Sequence, residues 1–213
     1  MKRVCLAIYI AMIAPSAFAG STGGAVQQVL PEPPAPTIGP ITVQFQESVP
    51  LQIRDSISGV SVGSEFQVNT YTTGAQGTPS ITAFSDGGFV VTWASYGNQD
   101  GNSAGVFGQR YDAAGASVDN EFQVNTYTQS GQYRPSVTAL SDDGFVVTWL
   151  SEQGQDGSGN GIFGQRYDAT GASVGSEFQV NTYTQSDQAE PSVTALSNGS
   201  IVVTWASNYQ DGS

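Results

Sequence analysis

The chain has no histidine, a single cysteine and only six Lys or Arg residues. Each shortage removes a class of chemistry. Without histidine, and with Cys5 alone, no Ser-His-Asp or Cys-His nucleophile, His- or Cys-ligated zinc, haem or iron–sulfur site can be assembled. Lys2 and Arg3 stand at the extreme N-terminus, and beyond them only Arg54, Arg110, Arg134 and Arg166 face 18 acids. Phosphate neutralisation needs clustered Lys and Arg, so nucleic acid is excluded as a partner. Long apolar runs are scarce as well. Val4 to Ile13 is about half the ~20 residues that a spanning helix needs.

That run follows the basic Met1-Lys2-Arg3 and precedes Ala14-Pro15-Ser16-Ala17-Phe18-Ala19, with alanine three residues and one residue before the cut. Residues 1–19 therefore read as an export signal. The protein is expected to be exported, to the exterior, the cell surface or the periplasm, with no membrane span after cleavage. Cys5 leaves with the signal, so the remaining chain enters an oxidising compartment without a disulfide. Packing and backbone hydrogen bonds must hold it. Residues 20–40 carry Pro31, Pro33, Pro34, Pro36 and Pro40, which makes them an extended linker. Residues 41–61 read as a lead-in strand or partial blade, because Arg54 and Gly59 lie one repeat before Arg110 and Gly115.

What the chain does have is a repeat of 56 residues, visible in Phe66, Phe122 and Phe178 and in Trp93, Trp149 and Trp205. Residues 118–153 and 174–209 agree at 24 of 36 positions, which marks tandem duplication. Copies span 62–117, 118–173 and 174–213, the last one truncated. In the middle copy, Glu121 to Tyr127 alternates apolar and polar side chains as a half-buried strand does. Pro135 to Leu140 reads as a second strand with proline at its start, where it is tolerated. Asp142-Asp143-Gly144 turns the chain into Phe145 to Trp149, with Phe145, Val147 and Trp149 on one face and Val146 and Thr148 on the other. A Gly/Ser/Asp-rich loop then leads to Ile162 to Asp168. Helical periodicity is absent beyond the signal.

Four strands per repeat predict an all-β chain, a β-propeller-like array of four-stranded blades with two full units plus partial ones. A single unit buries too little apolar surface to stand alone, so neighbouring units must share faces. Closed propellers need about 4–8 blades. Further blades in a longer chain, or other copies of this one, are the expected partners in closing the ring.

The set EFQVNTYT, PSVTAL, FVVTW, QDGSG and GQRYDA resembles a repeat found in tandem in large secreted or surface-attached bacterial proteins, many of which also carry hemolysin-type (RTX) calcium repeats. The resemblance covers Val62 to Ser213 and implies a propeller-like domain in an adhesin-like extracellular protein. The calcium nonapeptide of those proteins does not occur here, so no calcium site is carried over from them. The function expected on this basis is a non-catalytic interaction or structural module, not an enzyme, with a surface glycan or protein as ligand. The alternative is part of a carbohydrate-binding or carbohydrate-cleaving propeller, a lectin or glycosidase.

Candidate sites are few. Asp100, Asp156 and Asp211, each in the Gly-bent loop after a tryptophan, are the candidate calcium ligands. Calcium takes six to eight oxygens and each loop has one such carboxylate, so an Asp-Gly turn is the simpler role. No other cofactor is expected. Ser141-Asp142-Asp143-Gly144 with Thr148-Trp149 resembles the Asp-box of sialidase-like propellers but fails in register. Arg110 and Arg166 occupy equivalent positions on successive blades and cannot converge on one sugar without further arginines. The three tryptophans are candidates for sugar stacking and, more simply, for packing between blades.

Overall fold

The structure, a computed structural model, describes residues 49–54 and 61–210. The expected signal, the linker, most of the lead-in segment and Asp211 lie outside the described residues. Among those described, the chain is all β: β1 (Pro50–Arg54), β2 (Ser61–Gln67), β3 (Gln76–Ala83), β4 (Phe89–Ser95), β5 (Gly105–Tyr111), β6 (Ser117–Gln123), β7 (Gln132–Ala139), β8 (Phe145–Ser151), β9 (Gly161–Tyr167), β10 (Ser173–Gln179), β11 (Gln188–Ala195) and β12 (Ile201–Ser207). Two four-stranded antiparallel sheets, β3-β4-β5-β6 and β7-β8-β9-β10, stand between two-stranded ones, β1-β2 and β11-β12. They stack as a β-propeller-like array, with β3, β7 and β11 packed together as the innermost strands.

The sheets fall one strand out of phase with the repeat as the sequence suggests it. The strand expected at Glu121 to Tyr127 is Ser117–Gln123, and it pairs backward with β5, closing the preceding blade. Two contacts decide this. Phe122 packs its ring against Gly108, where an added Cβ would meet the ring at 2.7 Å, and Phe178 covers Gly164 in the same way. Asn125 then ends the ladder: its Oδ1 accepts from Val106 N at 2.7 Å while its Nδ2 donates to Tyr127 O at 2.9 Å. A side chain has taken over the backbone's bonds, and the chain leaves for the next blade.

The hairpin after β7 is also looser than a two-residue turn. Leu140 and Gly144 close a three-residue loop, with Asp143 N donating to Leu140 O at 3.2 Å. Only the third loop position is left-handed, and it is Gly87 (φ 88), Asp143 (φ 59) and Gly199 (φ 85) in the three copies. The second strand likewise starts earlier than Pro135, at Gln132, and the proline sits inside it. It is tolerated because the ladder with β8 breaks there, in a bulge between Tyr133 and Ser136.

Blades stack head to tail. Phe145, Val147, Trp149, Phe163 and Tyr167 of one sheet pack on Val90 and Val106 of the sheet before it. Phe89, Val91, Trp93 and Phe107 pack in turn on Val49, Leu51 and Val68. The facial split expected for strand three therefore holds, and Trp93 and Trp149 are 0% exposed. Val202 is 42% exposed although its counterparts Val90 and Val146 are buried, because no described residue covers that face of β12.

Polar stitches hold the innermost strands. Val137 N donates to Ser80 Oγ and Ala139 N to Thr82 Oγ1, both at 3.1 Å. One blade on, Val193 N donates to Ser136 Oγ at 3.1 Å and Ala195 N to Thr138 Oγ1 at 3.3 Å. Arg110 adds a clamp on the far side of the same blade, donating to Thr170 O at 2.6 Å and Ala169 O at 2.7 Å. Replacing Ser136 with Ala and Thr138 with Val orphans two backbone donors. The double variant is expected to lose about 2–4 kcal/mol in urea denaturation, with faster amide exchange at Val193 and Ala195. Unchanged exchange at those two amides would show the stitches to be dispensable.

Two buried phenols make stability depend on alkali. Tyr111 stacks on Phe89 with centroids 4.9 Å apart and donates to Val68 O at 3.3 Å. Burial first, then the charge of Glu121, pushes its pKa up to about 12. Tyr167 is pushed up by burial and by Glu177. Tyrosine in the unfolded chain ionises near pH 10. Their contribution to stability is therefore complete below about pH 10 and is lost as pH climbs through 10 toward 12. Alkaline unfolding followed by circular dichroism should begin in that window, and Tyr111→Phe with Tyr167→Phe should flatten the slope. An equally steep slope in the double variant would assign the alkaline loss to other groups.

Candidate functional site at the hub mouth

The alternating strand directions sort the connections into two ends. Short turns at 84–88, 112–116, 140–144 and 168–172 lie at one end; longer connections at 68–75, 96–104, 124–131, 152–160 and 180–187 lie at the other. The bulges of β3, β7 and β11 sit near the strand starts, so they belong to the end with the long connections.

At each bulge one residue is left-handed: Thr78 (φ 48), Arg134 (φ 53) and Glu190 (φ 57), always just before a proline. A β-branched threonine in that region is a genuine outlier, and the conformation costs of order 1–3 kcal/mol at non-glycine residues. The distortion turns these three side chains, with Pro79, Pro135 and Pro191, onto one cleft of about 510 Å³ that spans three blades. Arg134 and Glu190 pair across it, their side chains 49% and 66% exposed. An ion pair so open to water is weakly bound, and both groups stay available to a ligand.

A larger groove of about 720 Å³ lies toward the outer strands, beside Phe66, Thr70, Tyr71, Gln99 and Glu121. Size alone favours it; its bonding does not. Glu121 Oε2 accepts from Thr70 N at 2.7 Å and Thr70 Oγ1 at 3.0 Å, and its other oxygen takes Gln99 Nε2. Glu177 repeats the whole arrangement with Thr126 and Gln155. This carboxylate staples the outer strand of a blade to a loop of its own sheet and to the connection that enters it. The two sites also differ in how the copies vary. Glu121 and Glu177 recur unchanged, whereas the bulge position reads Thr, Arg, Glu. Of the twelve differences between 118–153 and 174–209, five (at 131, 133, 134, 152 and 153) cluster at the long-connection end of one blade.

The residues singled out in the sequence lie elsewhere. Asp100 Oδ1 accepts from Asn102 N at 3.1 Å, and Asp156 takes Ser158 N at 3.2 Å and Asn181 Nδ2 at 2.9 Å. Each acid caps its own loop, on separate blades, and among the described residues no three acids, His or Cys gather closely enough to hold a metal. Asp142 holds Gly144 N at 3.2 Å and Arg166 Nη2 at 2.6 Å, while Asp143 accepts from Ser85 N at 3.2 Å. Trp93 and Trp149 are buried and offer no surface to a sugar. Sequence reasoning missed Thr78, Arg134 and Glu190. The available signal was a difference: the residues just before the proline change in each copy, while Pro-Ser-x-Thr-Ala after them recurs.

No protein-family model matches the chain, and no curated protein matches it. Solved structures do. An endo-arabinase from Bacteroides thetaiotaomicron is 16% identical with a TM-score of 0.46, covering 75% of this chain and 61% of its own. A Hadza microbial sialidase is 10% identical (TM-score 0.43), covering 64% of this chain and 36% of its own. An α-L-arabinofuranosidase from Lactobacillus brevis is 12% identical (TM-score 0.44), with 71% and 50% covered. The chain thus spans less than two thirds of each. The expectation that this protein is not an enzyme is corrected by these matches: the solved structures it resembles are named as enzymes, so an absence of catalysis does not follow from its architecture.

Strain at the bulge is open to test. Thr78→Gly removes the left-handed penalty and is expected to leave stability unchanged or raise it by up to about 1 kcal/mol in urea denaturation. A loss larger than that would show the threonine to be a packing residue.

Proposed function

We propose that this chain is part of a carbohydrate-directed β-propeller, one that binds or cleaves a glycan, with the ligand taken at the hub mouth. The observation that carries the reading is the set of three strained bulges aiming Thr78, Arg134 and Glu190, three different polar groups, into one cleft. A polyol is met by what they offer together: a hydroxyl, a fork of charge-assisted donors and a carboxylate acceptor. Backbone strain kept at three equivalent positions, with the side chain varied at each, is what a binding surface requires and what packing does not. The export signal expected at residues 1–19, and the resemblance to repeats of secreted bacterial proteins, support a role where extracellular glycans are met.

Cleavage would need a second carboxylate roughly 5–10 Å from Glu190. Among the described residues the cleft holds Glu190 alone. Binding is therefore the part of the reading that these blades support directly, and in a cleaving enzyme Glu190 would be one member of the acid pair. Calorimetry against soluble arabinan, xylan and sialylated oligosaccharides should find at least one ligand. Arg134→Ala and Glu190→Gln should each weaken it tenfold or more, and Thr78→Gly less. Wild-type protein that neither binds nor releases reducing sugar from any of the three would end the proposal.

A further inference from the structure

Beside the hub cleft two tyrosines from adjacent blades stack face to face. Tyr96, just after β4, lies on Tyr133 of β7 with ring centroids 5.4 Å apart and planes at 27°. Tyr133 is the residue before Arg134, and Tyr96 lies against Gly77, the residue before Thr78, where an added Cβ would touch its ring at 3.4 Å. The pair does not line the cleft itself but lies one residue from the bulges at Thr78 and Arg134. Tyr96 is 42% exposed, while Tyr133 is half-buried with its hydroxyl beside Ser103 and Glu152. One ring is held from beneath and the other is presented to solvent.

The repeat supplies its own control for whether this pair is there to join blades. At the next junction the equivalent positions are Glu152 and Ala189, with no aromatic ring at either. The hydroxyl stitches are nonetheless the same, with Ser136 and Thr138 bonding β11 as Ser80 and Thr82 bond β7. The bulge also recurs at the same place in the ladder. The second junction keeps the same stitches and bulge without the tyrosines. An exposed aromatic ring, braced from beneath and not needed for stacking of the blades, is free to meet a ligand.

We infer that Tyr96, backed by Tyr133, is a stacking subsite on which the apolar face of a sugar ring lies while its neighbouring residue enters the hub cleft. Resting on the carbohydrate reading above, this makes the ligand an oligosaccharide of at least two units. The flat patch of ring C–H bonds covers the phenol, and the hydroxyls at the rim stay in water or reach Arg134 and Glu190. Tyr133 is a positioning residue, since it sets the plane of Tyr96 without facing the ligand.

The test uses the full chain labelled with 3-fluorotyrosine, titrated by ¹⁹F NMR with arabinohexaose, xylohexaose and sialyllactose, alongside calorimetry on the same sugars. Tyr96→Phe and Tyr133→Phe assign the two signals. The Tyr96 resonance should shift and saturate with whichever sugar binds, while those of buried Tyr111 and Tyr167 stay in place. Tyr96→Ala should weaken binding about three- to tenfold, and Tyr96→Phe should restore it. If a sugar binds and Arg134→Ala abolishes binding, but Tyr96 neither shifts nor matters, the platform is overturned and the hub reading stands. If Tyr96→Ala weakens binding and Arg134→Ala does not, the platform stands and the hub reading falls. No binding by any of the sugars overturns both.

Discussion

The first strand of every blade has a naked edge, and the structure depends on what satisfies it. Sheets that stack face to face share no ladder, so the outward amides of Val137, Ala139, Val193 and Ala195 would be orphaned at the axis. Serine and threonine of the preceding blade accept from them instead, in a Ser-x-Thr spacing that strand alternation aims at the neighbour. This makes the hub polar and moves the apolar packing outward, onto Trp93, Trp149 and their partners. It also leaves the innermost strand free of a second ladder, so a bulge with a proline and a left-handed residue can sit there at a cost confined to a few residues. The cleft and the cohesion of the blades have the same origin.

Near-identical copies separate what the fold requires from what it merely permits. Glu121 and Glu177 staple outer strands to connecting loops in the same way twice, and Gly108 and Gly164 each receive a phenylalanine. The hub mouth departs from that uniformity. There the geometry is kept and the chemistry changes, from Thr78 to Arg134 to Glu190 and from the Tyr96–Tyr133 pair to Glu152 and Ala189. Different groups set around a single axis suit an asymmetric ligand, such as the oligosaccharide proposed above. The staple, for all the volume of the groove beside it, faces only its own protein.

Much of the architecture is legible in the sequence because strand period and repeat length are local properties. The all-β class, the four strands per unit and the split of Phe145, Val147 and Trp149 from Val146 and Thr148 all follow from residue order. The phase of the sheets does not, because Ser117–Gln123 could pair forward or backward. Only the fit of Phe122 over Gly108 and the takeover by Asn125 make it backward. Asp100 and Asp156 drew attention as oxygen-bearing residues in glycine loops, yet such acids serve equally as caps, and the difference lies in what surrounds them.

By itself the sequence determined that the chain is built of repeating β units and that it lacks the histidine and cysteine for Ser-His, Cys-His or soft-metal chemistry. Those conclusions need only composition, alternation and period. Tertiary structure decided which strand closes which blade, which acids are staples and which are exposed, and that residues 78, 134 and 190 share one opening. These lie 56 residues apart along the chain and meet only because three sheets radiate from one axis. Proximity of that kind comes from stacking and leaves no trace in any local run of residues.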